Sequence, residues 1–202
     1  LNCRGWTLIE IALVLVVVGI ILGIVAGTSG KSLIGASHAQ AVQAAVKDLS
    51  EAIVRFRERY GYLPGDMPNA TTRIPGVAAG SCSATANGNG DGQIDAGDEA
   101  ACVPNHLFNA GFIKGGAGPI TLSQTDRLIT VRAIARSASG VTSFPTSTRN
   151  VIEVLNLSCR SAQELDVKSD DGNFASGNTR ASVGSCVEGS TNDPVPSVAL
   201  AL

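Results

Sequence analysis

A chain of 202 residues has room for one globular domain and an appendage, not for two large cores. Its composition, 44% hydrophobic against 16% charged with 23 glycines and few aromatics, describes a small loop-rich domain joined to something unusually apolar. A formal charge of -2 and a pI near 5.7 supply no basic field to hold phosphates, so a nucleic-acid-coating protein is disfavoured.

The apolar part comes first. Ile11 to Gly27 reads IALVLVVVGIILGIVAG without a charge and, counted from Trp6, is long enough to span a hydrocarbon core. Conventional signal cleavage after Ala26 is the alternative, but the run is longer than such a signal requires. Glu10 stands inside it. A carboxylate there costs on the order of 2.5 to 3.5 kcal/mol and asks for a partner, unless it snorkels to water at the helix end.

Gly5-Trp6-Thr7-Leu8-Ile9-Glu10 resembles the processing motif of type IV prepilins and type II secretion pseudopilins. The resemblance implies cleavage after Gly5, methylation of the new N-terminal residue Trp6, and retention of Glu10 as the fifth mature residue. Trp6 stands where the family more often has phenylalanine or methionine, and Gly27 near where many family helices carry proline. After the cut, the α-amino group of Trp6, with a pKa of about 8, would pair with Glu10 of a neighbouring subunit and set its axial register.

The expected fold is therefore α+β and pilin-like. A long N-terminal helix, membrane-spanning in its first half, would pack on a small antiparallel sheet. Residues 1–5 form the leader, 6–28 the transmembrane and filament-core helix, 29–60 its amphipathic continuation, and 61–202 a globular head with a calcium loop. Gly27, Gly30 and Gly35 mark where the helix could bend or melt on assembly, a straight helix being the alternative. Ala41, Ala45, Leu49, Ile53 and Phe56 recur at helical spacing up to about Tyr60, where Gly61 and Pro64 stop the helix. The stretch FRERYGYLPGDMPNAT, Phe56 to Thr71, resembles a segment of a pilin-like subgroup, and in it Asp66 reads as a turn residue.

Asn87, Asn89, Asp91, Gln93, Asp95 and Asp98 follow the alternating oxygen-donor pattern of a twelve-residue calcium loop, with Gly92 at the sharp turn and Glu99 as an alternative closer. No flanking helices are evident. A polar turn without metal has the same composition. Four cysteines lie beyond the apolar run, so two disulfides in an oxidising compartment are expected. Three connectivities are possible; Cys82 with Cys102, bracketing the loop, and Cys159 with Cys186 are favoured. A zinc site is disfavoured because no CxxC pair occurs and His38 and His106 stand alone.

Thr121 to Phe144 alternates as two short strands around Gly140, with Leu128, Val131 and Ile134 among the apolar candidates. Ile152, Leu155, Cys159, Ala162 and Leu165 recur at three and four residues, which predicts a short amphipathic helix, and the tail reads as loop with one short strand. Asp166, Asp170 and Asp171 in LDVKSDDGNFASG resemble a stretch of the same subgroup; they form a weaker metal candidate, the alternative being a solvated turn with Asp171-Gly172 at its tip.

No GxSxG, HExxH or phosphate-loop motif occurs, so no enzyme is expected. By resemblance the chain is a structural subunit of a type IV pilus or related filament, with a type II secretion pseudopilin as the alternative within the class. A membrane-anchored periplasmic calcium-dependent binding module is the rival from another class. The implied partners are further copies and related pilins in a helical filament, a prepilin peptidase, an inner-membrane assembly platform and the lipid bilayer. The implied location is the bacterial inner membrane before assembly, and an extracellular filament or periplasmic pseudopilus afterwards.

Overall fold

The computed structural model describes residues 8–123, 127–191 and 193–202, and their side chains except at 23–36. The chain divides into two compact units, Leu1–Ser37 and His38–Leu202. The first unit is the front of α1, a helix over Leu8–Tyr60. From Leu8 to Leu22 every side chain is exposed, and consecutive Val, Leu and Ile residues put apolar surface on all its faces.

The expected fold, with one long helix that crosses a membrane in its first half and serves the sheet with its second, is corrected here. Among the described residues no helix is long and apolar enough to cross a membrane. The buried core begins only at Ala39, within the second unit.

In that unit α1 buries Ala39, Val42, Val46, Leu49, Ile53, Phe56 and Tyr60, a strict alternation of three- and four-residue steps down one face. Ala41 is exposed and Ala45 only partly buried, so the stripe runs one residue away from the expected one at its start. Gly61, at φ +80°, ends the helix in a backbone conformation that side chains disfavour.

The stripe packs on a five-stranded antiparallel sheet of β1 (Ile120–Ser123), β2 (Leu128–Ala135), β3 (Asn150–Leu157), β4 (Thr179–Ala181) and β5 (Val195–Ala201), ordered β1-β2-β3-β5-β4. One row crosses the sheet as Ile120, Val131, Val154, Val198 and Ala181, and it faces the α1 core. The other face carries Ile134, Val151 and Ala199, which Val141 and Phe144 cover. Two more helices, α3 (Asp98–Asn109) and α4 (Cys159–Ser169), complete the unit, with a single turn α2 at Ala70–Arg73.

Three expectations change. Gly140 is not a hairpin turn: the hairpin joins β1 to β2, a 3-10 turn follows at Arg136–Ala138, and 141–144 is irregular. The predicted helix from Ile152 to Leu165 is split at Ser158. Before it the β-branched run Val151-Ile152 and Val154 pairs on both sides as a strand. After it Ser158 caps α4 by accepting from Ser161 N–H. The tail supplies β4 and β5, and β5 lies inside the sheet between β3 and β4.

Candidate functional site

At the front, Gly5 and Trp6 lie outside the described residues, and so does the proposed cut between them. Glu10 is exposed in the first turn of α1, where a negative charge suits the helix dipole.

The 87–98 loop sits between the Pro64-Gly65-Asp66 turn and α3, so a helix does follow it, starting at the expected closing residue Asp98. Two buried carboxylates organise it from inside. Asp66 accepts from Gly90 N–H at 2.7 Å and Gly92 N–H at 3.0 Å. Glu99 accepts from Asn89 N–H at 2.8 Å and Asp95 N–H at 2.9 Å. Burial pushes both above the ordinary carboxylate range, and neighbouring acids add to it: Asp91 acts on Asp66, and Asp66 and Asp95 act on Glu99. Gly88 lies so close that a Cβ there would meet Gly65 O at 2.3 Å. In the sequence Asp66 reads as a turn residue and Glu99 as an alternative closer, whereas both face inward as loop anchors.

Of the expected donors, Asn89 and Asp95 touch through Asn89 Nδ2 and Asp95 Oδ2 at 3.3 Å. Asn89 and Asp91 each accept from the backbone two residues on, Asp91 N–H and Gln93 N–H, both at 2.8 Å. Asn87 turns away and accepts from Thr71 N–H at 3.1 Å. Asp98 is exposed in the first turn of α3. Among the described residues, Asp91, Asp95 and Asp98 do not converge as a three-carboxylate cluster. The loop therefore has the composition of a calcium site and only part of its donor geometry.

Disulfides join Cys82 to Cys102 and Cys159 to Cys186. Cys82, Cys102 and His106 lie together, but the sulfurs are bonded to each other and both imidazole nitrogens are engaged. Nδ1 accepts from Gly65 N–H at 2.9 Å, so Nε2 carries the proton and donates to Ala86 O at 3.0 Å. Burial lowers the His106 pKa, only partly opposed by the Ala86 carbonyl, and the neutral ring clamps the 64–66 turn to the calcium-like loop.

Asp166, Asp170 and Asp171 do converge: each offers a carboxylate oxygen within 4.8 Å of the others. Asp166 projects from the inner side of α4, where Ala162 and Leu165 are also fully buried. Asp170 follows the helix end and accepts from Asn178 N–H and from Thr179 N–H, the latter at 2.9 Å. Asp171 is exposed and accepts from Ser176 Oγ–H at 2.6 Å and Asn173 N–H at 2.9 Å, which hold it below the usual carboxylate range. A sequence signal for the burial existed: Cys159, Ala162 and Asp166 share one helical stripe.

Comparison of the chain with protein-family models, with curated proteins and with solved structures finds no match.

Proposed function

We propose that this protein is a structural subunit of a filament of the type IV pilin class, released by cleavage after Gly5 and assembled through the front of α1. The observation that carries the reading is the Leu8–Leu22 section. It is helical, apolar on every face and exposed along its length, with Glu10 in its first turn. An all-round apolar helix is stable only when covered, and a bundle of identical helices covers every face at once. Glu10 would then meet the α-amino group of Trp6 on a neighbouring copy, a charge pair that exists only after processing. Before assembly the same section would keep the precursor at the inner membrane, within reach of the prepilin peptidase and the assembly platform.

N-terminal mass spectrometry of the protein from sheared filaments tests this. The expected product begins with N-methylated Trp6; an intact leader, or a start after Ala26, overturns the reading.

Within this reading the 87–98 loop takes calcium, on the strength of the clustered charge of Asp91, Asp95 and the two anchors beneath them. Asp91→Asn with Asp98→Asn should then lose the part of the calcium-dependent rise in melting temperature that this loop supplies. An unchanged rise in the double variant removes the loop from consideration.

A further inference from the structure

The end of α4 presents a charge problem that the protein's own side chains do not solve. Asp166 is wholly buried, and among the described residues neither of its carboxylate oxygens has a hydrogen-bond partner. A buried ion in that state is costly enough that proteins pair it, protonate it or bind a metal to it. Asp170 and Asp171 bring two more carboxylates to the same point, at the helix end where the dipole already disfavours negative charge.

Among the described residues, Lys168 and Arg180 are the cations close to this end of α4, and both are engaged elsewhere. Lys168 Nζ pairs with Glu164 at 3.8 Å. Arg180 donates to the carbonyls of Gly177 at 2.9 Å and Ala175 at 3.2 Å, and also to Ser143 O. Its charge is felt by Asp171, whereas only burial and the two neighbouring acids act on Asp166, and they raise its pKa to about 6. The loop is shaped around the carboxylates all the same. A Cβ on Gly177, whose φ is +73°, would fall 1.7 Å from Asp170 Oδ2, so glycine there leaves room for the acid.

We propose that Asp166, Asp170 and Asp171 form a calcium site that locks the 170–178 loop between α4 and β4. The donor set is all hard oxygen, which suits calcium or magnesium and not a thiolate-seeking metal. Three protein carboxylates at one point favour calcium, because magnesium gives up its water reluctantly and is usually held by only one or two. Asp166 is the buried ligand, Asp170 the one fixed by backbone N–H groups, and Asp171 the exposed one beside which water completes the shell. This site is separate from the 87–98 loop and does not depend on the filament reading.

The test uses the full chain in detergent, stripped with chelator and titrated with calcium alone by calorimetry. Three variants separate the sites: Asp166→Asn, Asp171→Asn, and the Asp91→Asn/Asp98→Asn pair. The wild type and the loop pair should both bind calcium at the α4 end, with a dissociation constant on the order of 10⁻⁴ to 10⁻³ M or tighter. Asp171→Asn, an exposed change that leaves the core intact, should weaken that binding roughly tenfold or more, and Asp166→Asn should abolish it. Asp166→Asn should also melt higher than the wild type in chelator, because it removes the buried charge. Unaltered calcium affinity and stoichiometry in both single variants overturns the proposal. So does a loop pair that binds no calcium.

Discussion

Glu153 and Asp166 are both acids with no exposed surface, yet the protein treats them in opposite ways. Glu153 lies on β3 beneath the 139–144 segment and is fully engaged. Arg132, its partner across the strands, reaches Oε2 at 2.6 Å; Gly140 N–H gives Oε1 a bond of 2.7 Å, and the hydroxyls of Ser139 and Ser197 also donate to it. Burial alone would raise its pKa, but these donors outweigh burial and hold it below the ordinary value. Asp166 receives no donor among the described residues, and burial with two neighbouring acids raises its pKa to about 6. Burial by itself thus decides little about an acid. What decides its state is whether the surrounding elements deliver donors or further charge, and that difference separates a structural acid from one poised to take a cation.

The comparison can be broken most strongly at Glu153. Glu153→Ala leaves Arg132, two hydroxyls and a backbone N–H without their acceptor and should cost about 3 to 5 kcal/mol in urea unfolding. In chelator, Asp166→Asn should do the reverse and gain about 1 to 3 kcal/mol, since it deletes an uncompensated charge.

The same contrast appears in the pH dependence of the chelated protein. For Asp166 the native state holds a proton between about pH 4 and 6 that the unfolded chain has lost, so this acid adds stability as pH falls through about 6 towards 4. Glu153 has a lowered native pKa, so its contribution is present at neutral pH and is lost as pH falls through that native value. His106, also lowered, subtracts stability once the unfolded histidine protonates, below about pH 6.5. Unfolding midpoints across pH 4 to 8 should therefore change slope when Asp166→Asn is introduced, and calcium should erase that change in the wild type. Glu51 sharpens the scale at its lower end. It is half-exposed and bridges Lys47 at 4.0 Å and Arg55 at 3.2 Å, and Glu51→Ala should move stability by about 0.5 kcal/mol or less.

Much of this was legible in residue order. The end of α1 follows from Gly61, whose positive φ needs a glycine, and the favoured one of the three cysteine connectivities is the one the structure has, with separations of 20 and 27 residues. Other features were hidden because residue order carries no information about which segment arrives from elsewhere. Ile152 and Leu155 fit a helical period as well as a strand, and they became β3 because β2 and β5 flank them with hydrogen-bonding edges. Val195–Ala201 looked like tail, and its place between β3 and β4 is a long-range pairing that no local propensity announces.

The apolar front with its single Glu10, the spacing that favours the two cysteine pairs and the three aspartates close together after α4 begins were set by residue order alone, because each depends on composition or short spacing. Only the tertiary structure decided that the 87–98 loop hangs on Asp66 and Glu99, and that Glu153 is satisfied while Asp166 is not. An acid's ionisation is set by the donors, charges and solvent around it, and folding assembles those from segments far apart in the chain.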